Sequence, residues 1–220
     1  LTFPSDADIV QAFSETGLVG SLYEEFEPRI EQVAMAEAVR KAFSSSENLL
    51  VEAGTGVGKS MAYLVPAALT ARANNIAVGV ATKTNTLLDQ LVYHELPALE
   101  KALRLADPDR PSLTYAPLKG FSHYPCLRKI GHIVEEGAQT KLFGNKEQTQ
   151  APSLAALLSF IEQTEYDDMD SLKIDYRVLP RRLITTTAND CLRRKCPYFG
   201  TSCFVHGCLL YTSDAADDSL

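Results

Sequence analysis

The stretch Val51-Glu52-Ala53-Gly54-Thr55-Gly56-Val57-Gly58-Lys59-Ser60 carries residue types able to hold a phosphate chain. Gly54, Gly56 and Gly58 permit backbone conformations that a side chain would block, so successive N–H groups can turn inward on phosphate oxygens. Lys59 would bring a point charge to β/γ-phosphates, and Ser60 a hydroxyl for Mg²⁺. An apolar run at 48–51 precedes the loop and Met61-Ala62-Tyr63-Leu64-Val65 follows it. That order of strand, loop and helix is the one found in nucleotide-hydrolysing proteins, where the helix adds the positive end of its dipole. Lys59 and Ser60 are the candidate catalytic residues, and Ala53, Gly54, Thr55, Gly56, Val57, Gly58, Lys59 and Ser60 the candidate nucleotide-binding set. Ala53 departs from the strict pattern, which has glycine there.

Cysteine supplies the second group able to do chemistry. Four residues separate Cys191 from Cys196 and six separate Cys196 from Cys203, while Cys126 stands 65 positions before Cys191. Three clustered thiols and one distant thiol can close a long loop on a single inorganic centre, as in a four-thiolate [4Fe–4S] cluster. A Cys₄ zinc site remains the alternative, although its paired ligands usually stand two to four residues apart. Four unrelated buried cysteines are the plainer reading. The N-terminal Leu1-Thr2-Phe3-Pro4-Ser5-Asp6 shows no basic region followed by an apolar one, which points away from a secreted disulfide framework.

Around the cysteines the charge reverses. The chain has a formal charge of −7, yet residues 177–206 hold six basic residues (Arg177, Arg181, Arg182, Arg193, Arg194, Lys195) against one acid, Asp190. Phe121, Tyr124, Tyr198, Phe199 and Phe204 lie among these charges. Cations for phosphates beside aromatic faces for bases are the parts of a single-strand binding surface. For aromatics next to cysteines, packing is the plainer role.

The elements that must position these groups follow from pattern. Of the 220 residues, 45% are apolar and 22% charged, enough for a real core. The apolar stretch at 61–71 is too short to span a bilayer and contains Pro66, so no membrane association is expected. A short helix is expected at 8–13 and an amphipathic one at 29–43, with Ile30, Val33, Ala34, Ala38 and Val39 on one stripe. The helix after the loop is expected to reach about residue 72. The apolar run at 76–81 suits a buried parallel strand, as does 113–116. Residues 82–86 are expected to cap a helix over 87–93, and Pro97 can open another. This alternation predicts an α/β layered domain with a parallel sheet. After Pro117 the alternation stops, and residues 118–206 read as an inserted, mainly helical small domain closed by its cysteines. Within it a helix is expected at 153–163, started by Pro152-Ser153.

Residues 207–220 are set apart from this domain. The run from Cys208 to Asp217 resembles the translation of a transposon-type sequencing adapter and shares no periodicity with what precedes it, so a non-native tail is expected there. Without the tail the formal charge is −4. The start at Leu1 is read as that of a fragment.

With the loop and the cysteines both placed, residues 18–206 resemble the N-terminal part of a DinG-type, XPD-like iron–sulfur DNA helicase of superfamily 2. Residues 52–60 are similar to that family's nucleotide loop, with Ala53 at the first position. Phe26-Glu27-Pro28-Arg29 with Gln32 resembles the upstream element that contacts adenine, and a Gln amide can pair with the adenine N6/N7 edge. Residues 81–91 resemble motif Ia, which implies DNA-backbone contacts for Thr82, Lys83, Thr84 and Asn85. Leu118-Lys119-Gly120-Phe121-Ser122-His123-Tyr124-Pro125-Cys126-Leu127 is similar to the segment bearing the first cluster ligand, with His123 where the family usually has Asn.

The resemblance implies a RecA-like P-loop motor lobe over 1–117, interrupted by the iron–sulfur domain at 118–206. It makes Cys126, Cys191, Cys196 and Cys203 ligands of a [4Fe–4S] cluster, and Arg193, Arg194 and Lys195 candidate DNA contacts. ATP and Mg²⁺ are the implied cofactors; single-stranded DNA and duplex junctions are the implied partners, in repair or replication. The location it implies is cytoplasmic and nucleoid-associated. The acidic motif that orients Mg²⁺ and the attacking water is not found after the fourth cysteine, nor is a second lobe, so these residues alone are expected to turn over little ATP. A P-loop protein whose Cys₄ zinc module binds nucleic acid without unwinding is the alternative.

Overall fold

A computed structural model describes residues 1–139, 145–164 and 167–208, without the side chains of 137–139 and 145–150. The expected tail lies outside the described residues from position 209 onward. The chain divides into two compact units, one over Leu1–Tyr115 and a second beginning at Ala116.

In the first unit, α1 (Asp6–Ala12) starts at a capping box. The Asp8 N–H donates to Ser5 Oγ (3.2 Å) and the Ser5 N–H to Asp8 Oδ2 (2.7 Å). The amphipathic stretch forms α2 (Ile30–Ser45), and α3 (Lys59–Asn74) packs along it. Pro66 sits inside α3 and is buried, and the Thr70 hydroxyl donates to its carbonyl (2.7 Å). Next comes α4 (Asn85–Gln90), capped by Thr84, then a π-helical turn (Leu91–Glu95) leading into α5 (Leu96–Ala106). The helix expected at 87–93 thus runs on through a π turn. The core is shared among these helices and includes Ile9, Phe13, Ala36, Met61, Leu64 and Leu99.

The expected parallel sheet, and with it the α/β RecA-like class, is not what the structure has. Among the described residues there is no strand, and 48–51, 76–81 and 113–116 are unpaired. Leu50 is 98% exposed, Val80 40% and Ile76 36%, so these runs are not buried either. A parallel strand is the property of a pair, because its N–H and C=O groups need a neighbour and both its faces need a cover. Here the helices bury apolar faces on one another and leave the three runs unpaired, with Leu113 half-buried against the helical core.

The second unit is helical too. It contains α6 (Leu127–Gln139), α7 (Asn145–Gln163), a short α8 (Arg181–Ile184) and a helical turn at 204–208. Pro152 falls inside α7 and does not start it. Leu157, Ile130, Met169, Leu179 and Ile184 form one core; Tyr124, Phe204, Val205 and Cys208 form another, and Phe160 and Ile161 of α7 touch both. Cys208, assigned by sequence to the tail, is buried and shares a hydrogen bond with the Tyr124 hydroxyl. Among the described residues no helix is long and apolar enough to cross a membrane.

Candidate nucleotide loop and cysteine cavity

The loop of residues 53–60 turns directly into α3. Gly56 and Gly58 both have φ of +81°, the left-handed region that glycine enters without strain, and Gly58 is the N-cap of α3. Lys59 and Ser60 therefore stand in the first turn of a sixteen-residue helix, where free N–H groups and the dipole favour an anion.

Donors from other positions hold the loop's carbonyls. Gln32 of α2 is 5% exposed and donates from Nε2 to the Gly58 carbonyl (2.9 Å). Arg29 donates from Nη1 to the Gly56 carbonyl. The Lys59 ammonium turns back on the loop, donating to the carbonyls of Ala53 (3.0 Å) and Gly54. The Ser60 side chain is hydrogen-bonded to the Tyr63 hydroxyl. Burial pushes that phenol above its ordinary value, the Ser60 bond opposes the rise and the Glu95 carboxylate adds to it. Beside Arg29, the rings of Tyr23 and Phe26 stack at 5.9 Å with 15° between planes. Thr55 is exposed and Val57 half-buried.

The motif Ia residues occupy the start of α4. Thr84 caps it by accepting from the Leu87 N–H (3.3 Å), and the Thr82 hydroxyl donates to the Thr84 carbonyl (3.1 Å). Lys83, Thr84 and Asn85 are exposed.

In the second unit Cys126, Cys191, Cys196 and Cys203 all line one cavity of about 30 Å³. None is in a disulfide. Backbone bonds fix the arms that carry them: the Cys126 N–H donates to Ile184 O (2.7 Å) and the Cys196 N–H to Arg193 O (2.8 Å). The Arg193 N–H donates to Cys191 Sγ (3.4 Å). Burial pushes the Cys203 thiol up; the N–H groups of His206 and Val205 oppose this, and the neighbouring Cys191 and Cys196 raise it further. No Asp, Glu or His lines the cavity, but Arg128 and Arg193 do. The donor set is all-thiol with cations alongside, which suits a soft, anionic thiolate centre. As placed, no group of three or more His, Cys, Asp or Glu among the described residues stands close enough to hold a metal ion. The four thiols must therefore draw together to hold a single centre.

Sequence reasoning passed over three features. Tyr63 was treated only as part of a helix, although its place three residues after Ser60 puts it within reach of that hydroxyl. An ionic network also surrounds Lys119, whose side chain is 2% exposed. Its ammonium meets Asp168 Oδ2 (3.1 Å) and Asp170 Oδ2 (3.0 Å), and Arg181 Nη2 donates to Asp170 Oδ1 (2.5 Å). His123 Nδ1 lies 2.9 Å from Asp170 Oδ2. The polar run at 167–170 was the available signal. The third is a pocket of about 500 Å³ that shares Cys191, Arg193, Phe199 and Cys203 with the cysteine cavity.

Comparison with curated proteins gives consistent relatives. The ATP-dependent helicase DinG of Mycobacterium tuberculosis is 39% identical over 181 residues, covering 79% of this chain and 27% of that protein. The ATP-dependent DNA helicase YoaA of Haemophilus influenzae is 32% identical over 198 residues, covering 90% and 28%. The ATP-dependent DNA helicase DinG of Escherichia coli is 30% identical over 188 residues, covering 80% and 25%. No family model matches the chain. Several relatives that match about four-fifths of this chain or more are named ATP-dependent helicases. The chain belongs to the DinG-like helicase family. The chain spans about a quarter of the length of these curated relatives.

Proposed function

We propose that these residues form the nucleotide-binding and cysteine-bearing part of an ATP-dependent DNA helicase. It couples ATP hydrolysis to movement on single-stranded DNA and to duplex unwinding in repair or replication. The observation that carries the reading is the glycine loop capping α3, with left-handed Gly56 and Gly58 and with Lys59 and Ser60 in the first helical turn.

The β- and γ-phosphates of ATP enter the loop against its N–H groups and the start of α3. Lys59 then exchanges its carbonyl partners for phosphate oxygens, and the Ser60 hydroxyl, drawn from Tyr63, is available to Mg²⁺. Arg29 and Gln32 brace the loop from outside, and Gln32 offers its remaining amide oxygen to adenine. Phosphoryl transfer also needs a group that positions the attacking water, and none of the residues assigned to this site does so. By themselves the 220 residues bind nucleotide without appreciable turnover.

Cys126, Cys191, Cys196 and Cys203 would hold a [4Fe–4S] cluster, which when bound supplies a rigid cross-link within the second unit. That unit acts as a wedge at the strand junction, while Thr82, Lys83, Thr84 and Asn85 contact the DNA backbone, as do Arg193, Arg194 and Lys195. Lys59→Ala in the complete protein should abolish ATP-dependent unwinding while leaving single-strand binding in place. Unwinding at the wild-type rate would overturn the assignment of the loop.

A further inference from the structure

Three basic side chains of the second unit converge on one carboxylate. Asp170 accepts from the Lys119 ammonium (3.0 Å) and from Arg181 Nη2, and His123 Nδ1 lies 2.9 Å from its Oδ2. Lys119 also meets Asp168 Oδ2 (3.1 Å), and its backbone N–H donates to the Tyr124 hydroxyl (3.0 Å). Lys119 and His123 belong to the segment that leads into Cys126, three residues beyond His123. Its regular structure is a single 3₁₀ turn (Phe121–His123). Arg181 opens α8 and reaches this segment directly, donating from Nε to the Ser122 carbonyl (2.9 Å).

Two of the cysteine arms meet at α8. The Cys126 N–H donates to Ile184 O (2.7 Å), and beyond Cys126 the Lys129 ammonium donates to Arg182 O (3.1 Å). After α8 the chain runs on through 185–187, and the Thr187 carbonyl accepts from the Cys191 N–H (3.1 Å). With four residues α8 is far too short to hold itself. Contacts from outside must fix it, and through it both Cys126 and Cys191.

Stability alone does not account for such a network. The desolvation of a buried ion pair offsets much of its attraction, and the best-attested use of buried charge is to fix register. Lys119, its side chain 2% exposed, is buried charge of this kind. The register at stake is that of the 119–126 arm on α8. We propose that Asp170 is a positioning residue for the first thiol. By gathering Lys119, His123 and Arg181 it clamps the arm to α8 and sets where Cys126 stands before any centre is bound, so that the other thiols close on a fixed arm. The inference rests on the reading of Cys126, Cys191, Cys196 and Cys203 as ligands and adds the group that places one of them.

The test uses the 220-residue chain prepared without metal. Amide hydrogen exchange read by mass spectrometry compares peptides over 119–127 and 153–163, and cadmium(II) is titrated by its thiolate absorbance. Asp170→Asn should speed exchange over 119–127 about tenfold while 153–163 keeps its wild-type rate, because only the clamp is opened. Cadmium affinity should fall about tenfold, the low end for groups that orient metal ligands. Arg181→Lys keeps the charge but loses the fork shared by Asp170 and Ser122, and should act alike. Asp170→Glu keeps the carboxylate and should recover part of both effects. Equal acceleration of both peptides shows a general stabiliser and overturns the proposal. So does unprotected 119–127 in wild type, unchanged exchange there in the variants, or unchanged cadmium affinity. Cys126→Ser separates the two readings. If it binds cadmium as wild type does, the ligand assignment fails and the proposal with it; if it does not, an inert Asp170→Asn overturns the clamp alone. Should Asp170→Asn fail to fold, Arg181→Lys and Asp170→Glu decide the matter.

Discussion

Gly58→Ala carries two separable costs that can be measured apart. The first is backbone: at φ +81° a residue with a Cβ costs roughly 1–2 kcal/mol. The second is steric. A Cβ on Gly58 would stand 2.1 Å from Gln32 Nε2 and 2.8 Å from its Cδ, far inside van der Waals contact. Gln32 is nearly fully buried, so its amide yields only by giving up the 2.9 Å bond to the Gly58 carbonyl, worth about 1 kcal/mol. Together these predict a loss of about 2–3 kcal/mol in urea unfolding followed by circular dichroism. Gly54→Ala is the control, since nothing lies within 4 Å of its Cβ and its φ is not positive; it should stay within about 0.5 kcal/mol of wild type. Removing the amide with Gln32→Ala removes the steric cost but not the backbone one. In that background Gly58→Ala should cost about 1 kcal/mol less. A neutral Gly58→Ala, or a strictly additive cycle, would refute the view that α2 holds the loop through this contact. Affinity for a fluorescent ATP analogue should fall with Gly58→Ala as well, because the same contact shapes the loop.

Three predictions concern the second unit. Lys119→Met strands the Asp168 carboxylate, 10% exposed, and weakens the hold on Asp170, so it should cost about 3–5 kcal/mol, part of it recovered by adding Asp168→Leu; a loss under about 1 kcal/mol would show the pairs to be idle. Burial alone would raise the Asp170 carboxyl, but hydrogen bonds from Arg181, His123 and Lys119 hold it well below the usual range; its contribution is therefore present above the unfolded value of about 3.9 and lost as pH falls through the lower folded value, so stability should hold from pH 7 to about 5, decline below about 4, and decline less in Asp170→Asn. Cys196→Ser should remove iron and its visible absorbance and destabilise the second unit while sparing nucleotide affinity, and zinc in place of iron by elemental analysis would overturn the cluster.

What sequence made legible was chemistry fixed by local backbone. Gly54, Gly56 and Gly58 were read as positions that a side chain would block; Gly56 and Gly58 have the positive φ, because that requirement is satisfied within a few residues, whereas Gly54 has neither a positive φ nor a close neighbour. Helices form at 29–43 and after the loop as expected, but the expected stripe is not the buried face of the first: Ile30 is 84% exposed and Ala34 is exposed, and α2 buries Gln32 and Ala36 instead. The sheet failed for the opposite reason. The run at 76–81 specifies an apolar, β-branched segment but not what covers it, and here nothing pairs with it. Pro152 misled for a related reason, since a start signal depends on what the preceding residues do. The Lys119 network joins residues up to 62 positions apart, so spacing gave no sign of it.

The loop's bracing bears on how it would treat a nucleotide. Its carbonyls at Ala53, Gly54, Gly56 and Gly58 each receive a side-chain donor, from Lys59, Arg29 or Gln32. An incoming phosphate meets N–H groups while the loop's oxygen dipoles are covered, which lowers the repulsion that bare carbonyls would present. Two of the three donors can remain on nucleotide arrival, because Arg29 and Gln32 reach the loop from residues outside it. Lys59 alone must let go, exchanging bonds from its ammonium to neutral carbonyls for bonds to anionic phosphate oxygens, in which both partners are charged. The exchange favours the bound state, and it leaves Ala53 and Gly54 as the carbonyls the loop must then satisfy by other means. Glycine at 54, with open space around it, lets that segment turn; the departure from glycine at 53 costs nothing there because its carbonyl, not its φ, is what Lys59 uses.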